Sequence, residues 1–284
     1  FGPPDRLTFM PPHPPQTPVG PTIRVLGLSK SFGDVKAVRD LSFDVARGEC
    51  FGLLGPNGAG KSTTIKILIT LLKPDKGDAE VNGFRLTRDP TRIRGSIGYV
   101  PQSLSVDGVL TGRENLAFFG KLYGLGGRDL QGRVDRVLAA FDLAGAADRP
   151  VSGYSGGMIR RLEIAQSILH RPAVVFLDEP TVGLDPTARE ALWGHIRWMR
   201  REHGTTILLT THYMEEAEGL CDRIAIMNRG TLAALGTLAE LRRKARMPRA
   251  DMNRLFTRFT GGAEQTEGDF KNVRSQRRTA RRLG

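Results

Sequence analysis

Cys50-Phe51-Gly52-Leu53-Leu54-Gly55-Pro56-Asn57-Gly58-Ala59-Gly60-Lys61-Ser62-Thr63 is the stretch that decides the fold. A short apolar run ends at a glycine cluster, and a helical pattern follows from residue 61 to about residue 72. This order is strand, glycine loop, helix. Its spacing fits G-x-x-x-x-G-K-[ST]. Gly55, Gly58 and Gly60, with Pro56, Asn57 and Ala59 between them, let backbone N–H groups converge on phosphate oxygens without Cβ clashes. The helix that follows points its positive end at the same place. Lys61 is suited to the β- and γ-phosphates, Ser62 to Mg²⁺ and Thr63 to the α-phosphate. The bland alternative is a glycine-rich turn with an accidental lysine. The apolar strand before it and the helix after it count against that alternative.

Val174-Val175-Phe176-Leu177-Asp178-Glu179 is the second decisive stretch. Its continuous apolar character is that of a parallel strand covered on both faces. In open α/β sheets ligands bind outside the carboxyl ends of the strands. Asp178 therefore suits a Mg²⁺ shell, and Glu179 suits polarising an attacking water. Alone, Asp-Glu at the end of an apolar run is an ordinary strand terminus. Beside the phosphate loop it becomes a candidate site.

Outward from these two stretches, strands are expected at 23–28, 41–45, 78–81, 97–100, 206–210 and 223–227, the last of the chain. Helices are expected within 110–150 and at 155–169, 187–201 and 214–220. Alternating strands and helices predict an α/β fold on a parallel sheet. The aromatics within 110–150 are expected to be core.

The chain has 284 residues, 39% apolar and 25% charged, near the values of a globular protein able to bury a sizeable core. Two cysteines, Cys50 and Cys221, exclude a disulfide framework. No apolar run is long enough to span a membrane. Residues 1–21 carry eight prolines and are expected to form a disordered leader without a signal-peptide pattern. The net charge of +12 is uneven: residues 242–284 hold 13 basic against 4 acidic side chains, so +9 sits there. That segment is expected to be a solvated, partly disordered basic tail. Anionic lipid, RNA or a partner protein are the functional alternatives, and no specific nucleic acid is expected.

Further elements narrow the class. Tyr154-Ser155-Gly156-Gly157-Met158 opens a helix, with Ser155 as N-cap and the glycines exposing N–H groups to a phosphate. Ser155 lies 23 residues before Asp178. With this segment the chain resembles the ATP-binding cassette (ABC) ATPases. Tyr99-Val100-Pro101-Gln102 resembles that family's Q-loop, Gly183-Leu184-Asp185-Pro186 its D-loop and Thr210-Thr211-His212 its switch histidine. Phe32 matches the aromatic that stacks on adenine. The resemblance covers roughly residues 23–240. It departs from the common pattern at Tyr154 and Met158, where Leu and Gln are usual, and at Phe32, where Tyr is commoner.

The resemblance implies a P-loop NTPase fold: a mixed or parallel core sheet, an N-terminal antiparallel β subdomain and a helical signature subdomain at about 103–170. The whole cassette is expected at 22–241. It implies ATP and Mg²⁺ as cofactors, with Ser62, Gln102 and Asp178 around the metal and Glu179, His212, Gln102 and Asp185 as the hydrolytic set. It implies a head-to-tail dimer in which one copy's Ser155-Gly156-Gly157 closes over ATP held by the other. The partner subunit is then a separate integral permease, and the location the cytoplasmic membrane face. Residues 110–116, 211–218 and 255–261 resemble most the daunorubicin-resistance exporters. The alternative is a soluble ABC-type ATPase acting on nucleic acid or the ribosome. A P-loop kinase or GTPase leaves Ser155-Gly156-Gly157 and His212 unexplained.

Overall fold

The structure, a computed structural model, describes residues 20–261. Almost all of the expected leader and residues 262–284 of the expected tail lie outside the described residues.

The strands are β1 (Ile23–Phe32), β2 (Val35–Val45), β3 (Cys50–Leu54), β4 (Lys76–Val81), β5 (Phe84–Arg85), β6 (Ile97–Val100), β7 (Val174–Asp178), β8 (Thr206–Thr211), β9 (Arg223–Asn228) and β10 (Thr231–Gly236). The helices are α1 (Lys61–Leu68), α2 (Pro90–Ser96), α3 (Gly112–Leu122), α4 (Gly127–Ala140), α5 (Gly156–Ile168), α6 (Pro186–His203), α7 (Met214–Leu220), α8 (Leu238–Ala245) and α9 (Met252–Thr260). They build two sheets. One is antiparallel, in the order β2-β1-β4-β5. The other runs β10-β9-β3-β8-β7-β6 and is parallel apart from β10 at its edge.

The large sheet is central because its strands are apolar on both faces. Successive residues of a strand point to opposite sides. Val174 and Phe176 of β7 enter the core shared with the small sheet, while Val175 and Leu177 enter the core under α3–α6. All four are fully buried, and each contributes about 1.5–3 kcal/mol by leaving water. In β8, Ile207 and Leu209 face one core and Leu208 the other. On β6, Gly98 lets α5 lie close: a Cβ there would sit 2.3 Å from the Ser167 carbonyl oxygen.

Several expectations need correction. The helix after the phosphate loop stops at Leu68, because Thr70 turns left-handed (φ 67°). The helices expected within 110–150 are present as α3 and α4, separated by a glycine turn, with Thr111 and Glu114 forming a capping box on α3. The strand at 223–227 is not the last. Arg229 and Gly230, both at positive φ, form a two-residue hairpin that adds β10. Finally, a boundary at 241 cuts through α8. The described residues 242–261 are not a solvated tail: Leu241, Ala245, Ala250, Met252, Leu255 and Phe256 pack with Leu54, Met214, Ile224 and Ile226 in a third core. Apolar residues at 252, 255, 256 and 259 have the one-face spacing of an amphipathic helix. Asp251 caps α9 and Gly261 ends it at φ 76°.

Candidate active site

The carboxyl ends of β3, β7 and β8 lie side by side, with Leu54 opposite Thr211 and Asp178 opposite Thr210. The phosphate loop, the carboxylate turn and His212 therefore meet at one end of the sheet. The loop is shaped by backbone that only glycine accommodates well. Gly60 has φ 99°, and a Cβ there would meet the Ala37 carbonyl oxygen at 2.3 Å. Gly60 stands as N-cap of α1, so that helix's free N–H groups face the loop.

Lys61 is 4% exposed. Its ammonium donates to the Gly55 carbonyl (2.8 Å) and the Pro56 carbonyl (3.2 Å), and lies 3.2 Å from Glu179 Oε1. The Ser62 hydroxyl donates to Asp178 Oδ1 (2.9 Å), and the Thr210 hydroxyl donates to the same oxygen (2.6 Å). Gln102 Nε2 donates to Glu179 Oε2 (3.2 Å). His212 Nδ1 lies 3.3 Å from that oxygen, within ion-pair reach but without hydrogen-bond alignment. Burial pushes the Glu179 carboxyl up. His212 and Lys61 outweigh it and hold the group below the usual carboxylate range. Glu179 is thus an ionised acceptor at neutral pH. Its backbone is left-handed (φ 49°), a costly conformation for a residue with a side chain.

Lys61, Ser62, Gln102 and Glu179 line an open cleft of about 740 Å³, bounded also by Asp34, Lys36, Arg39, Asn57, Thr63 and Arg229, while Thr210 and His212 stand behind Glu179 outside that lining. Phe32 stands on its rim with 48% of its surface exposed. The cleft thus gathers Phe32, the loop residues 57–63, Gln102 and Glu179. Asp178 sits beneath it, held by Ser62.

Other expected residues are placed elsewhere. Ser155 caps α5 by accepting from the Met158 N–H (3.3 Å), and Ser155 and Gly156 are exposed to solvent, away from the cleft lining. Tyr154 turns inward. It is 8% exposed and its hydroxyl donates to the Ala146 carbonyl (2.7 Å), so within this chain it is a strut of the helical core. Met158 packs against the same core. Asp185 caps α6 by accepting from the Ala188 N–H (2.9 Å) and does not line the cleft.

The sequence gives no sign of one polar residue at the site and of one buried acid near it. Thr210 is legible only as a strand end leading to His212, yet its hydroxyl also accepts from the Glu179 N–H (2.9 Å). Glu216, fully buried on α7, accepts from Trp193 Nε1 (3.2 Å), and burial pushes its carboxyl up. An acidic residue in an apparently amphipathic helix gives no sign of such burial.

A phosphate loop, a buried strand leading into Asp-Glu and a histidine just past the end of the neighbouring strand define a nucleoside triphosphatase of the P-loop class. Comparison with known proteins narrows this. The ABC transporter family matches residues 38–182. The daunorubicin resistance ATP-binding protein DrrA3 of Streptomyces coeruleorubidus is 46% identical over 230 residues, 81% of this chain and 72% of that protein. The Nod factor export ATP-binding protein I of Ralstonia nicotianae is 44% identical over 81% of this chain and 72% of its own length. The structure of an ATP-binding subunit of an ABC transporter superposes with a TM-score of 0.76 at 33% identity, over 84% of this chain and 99% of that one. The chain belongs to the ABC transporter family, and it is an ATP-binding, ATP-hydrolysing subunit.

Proposed function

We propose that this subunit powers export through a separate integral permease, by closing and opening a head-to-tail pair of cassettes around ATP. One observation carries the paired arrangement. The phosphate loop and Glu179 share a cleft, while Ser155 and Gly156, a helix start with free N–H groups, face solvent outside it. A triphosphate in the cleft has its γ end open to a second copy's α5 N-terminus. The export direction is supported by the relatives' names, which are those of a drug-resistance ATP-binding protein and a Nod factor export ATP-binding protein. Among the described residues no helix is long and apolar enough to cross a membrane, which fits a subunit at the cytoplasmic face that borrows its pathway from a partner.

Within the site, Phe32 stacks on adenine, and residues 55–63 receive the phosphates. Lys61 exchanges its carbonyl and Glu179 contacts for the β- and γ-oxygens. Glu179 orients water for attack on the γ-phosphorus and takes up its proton as the bond to ADP breaks. His212 holds the water and the γ-phosphate in line. The donor set suits Mg²⁺: the Ser62 hydroxyl and Asp178 carboxylate are hard oxygens 2.9 Å apart, with the Gln102 side chain beside them. Mg²⁺ there would neutralise charge on the β- and γ-oxygens. Tyr154 and Met158 support Ser155 from behind, and Asp185 stands at the paired face.

Glu179→Gln tests this reading. The variant is expected to bind ATP, hydrolyse it at least 100-fold more slowly and run as a dimer on gel filtration with ATP. Normal turnover would remove Glu179 from the reaction; a monomer under all nucleotide conditions would remove the pairing.

A further inference from the structure

We infer that Arg160 is a positioning residue that fixes the carboxylate turn and the glutamine loop to the signature helix, so that the three move as one unit. The inference rests on the roles proposed for Glu179 and Gln102.

Arg160 lies on α5, one turn after Gly156, and is 4% exposed. A guanidinium has five N–H donors in a fixed fork. Every one of them is used here. Nε donates to the Pro180 carbonyl (2.8 Å). Nη1 donates to the Pro101 carbonyl (2.6 Å) and to Glu163 Oε2 (3.0 Å). Nη2 donates to the carbonyls of Asp178 (3.2 Å) and Glu179 (3.4 Å). The last two bonds, with the Pro180 one, grip three consecutive carbonyls of the turn that carries the catalytic carboxylates. The Glu179 N–H is held from the other side by the Thr210 carbonyl (3.2 Å) and hydroxyl (2.9 Å). A left-handed non-glycine residue persists only where its surroundings over-determine it, and Arg160 with Thr210 supplies that constraint at Glu179.

The same side chain reaches the residue before Gln102. Its partner Glu163, 2% exposed, accepts from the Ser105 N–H (2.6 Å) and hydroxyl (3.0 Å) through Oε1. The Arg160–Glu163 pair therefore pins both ends of the segment 101–105, and Gln102 reaches Glu179 from between those pins. Any displacement of this loop is passed through one rigid guanidinium to the Glu179 backbone and to the helix whose start presents Ser155. Lysine, with three donors on a single nitrogen, cannot satisfy acceptors spread around the fork.

The test is Arg160→Lys in the full-length chain, with kcat, KM, ATP affinity and Tm measured beside wild type and Glu179→Gln. We expect kcat to fall at least tenfold while KM and ATP affinity stay within threefold. On a Gln102→Ala background, Arg160→Lys should lower kcat by a smaller factor than on wild type, because part of its effect passes through the shared loop. A lowered Tm with unchanged kcat, or effects that multiply in the double variant, would overturn the inference. If Arg160→Lys does not fold, Ser105→Pro deletes both the amide and the hydroxyl donor from the exposed loop to Glu163. It should lower kcat with Tm unmoved, and an unaltered kcat overturns the inference equally. Should Glu179→Gln retain turnover, it is the underlying site assignment that fails; a stalled Glu179→Gln beside a normal Arg160→Lys rejects the coupling alone.

Discussion

Lys61 and Glu179 face each other across 3.2 Å at the floor of the cleft, 4% and 6% exposed. Buried opposite charges at this distance balance one another, and removing one leaves the other uncompensated. Lys61→Ala should therefore act twice. Loss of charge-assisted bonds to phosphate, about 1.5–3 kcal/mol, lowers ATP affinity by roughly 10- to 100-fold or more. The stranded Glu179 costs the nucleotide-free protein a further amount of order 3–5 kcal/mol, the range for breaking a buried pair. Titration calorimetry and urea unfolding measure the two separately. Undiminished affinity would refute the loop assignment.

His212 is placed differently. Its side chain is 33% exposed and touches the site through Glu179 Oε2 alone among the carboxylates near it. His212→Ala should slow steady-state phosphate release by roughly 100-fold, within the range for a lost acid–base or orienting group, with ATP affinity altered only a few-fold. Wild-type release rates would exclude it from the reaction.

The sequence exposed the two stretches that build the cleft because each combines a local geometry with a chemistry. Residues 50–63 and 174–179 need no tertiary information to be read as strand ends bearing phosphate and carboxylate groups. What escaped depends on contacts between distant segments. Arg160 is one of two arginines on α5, and only the folded chain shows its fork saturated by carbonyls from 101 and 178–180 and by the Glu163 carboxylate. The motif around Tyr154 predicts a ligand-facing side chain, but an extended residue before an N-cap can point either way. Here the hydroxyl finds the Ala146 carbonyl inside. The expectation of a tail from 242 onward rests on net charge. Charge on one face of a helix says nothing about the opposite face, and the apolar spacing at 252, 255, 256 and 259 was the better signal.

Acid sensitivity should come from His170. Its ring stacks on Tyr123 at 3.8 Å, and Nε2 lies 3.0 Å from the Ile97 carbonyl, to which it must donate. Burial pulls its pKa down to about 4. The unfolded chain takes up a proton near 6.5 while the folded chain stays neutral until about 4. Stability is therefore complete above pH 6.5 and drains as pH falls toward 4, by up to about 3 kcal/mol. His195 is pulled the same way by burial, so the decisive quantity is a difference. His170→Gln keeps a donor for Ile97 but does not titrate. Its Tm should fall less than that of wild type between pH 7 and pH 4.5, and parallel curves would dismiss the assignment.

The C-terminal helices offer the sharpest contrast between a tail and a part of the core. Leu255 is fully buried among residues that include Leu54, the last residue of the strand feeding the phosphate loop, and Met214, two residues beyond His212. Leu255→Ala should cost about 2–5 kcal/mol, the sum of lost apolar burial and the cavity left behind. Arg254 and Arg258 lie on the exposed side of the same helix, and replacing either with Ala should change stability by no more than about 0.5 kcal/mol. A solvated basic tail would give the opposite ordering, with the leucine silent. Urea unfolding of the three variants decides between them. A destabilised Leu255→Ala protein should also be rescued in part by saturating ATP. Nucleotide bound to the folded state alone raises apparent stability by about 2.7 kcal/mol at a hundredfold excess over Kd.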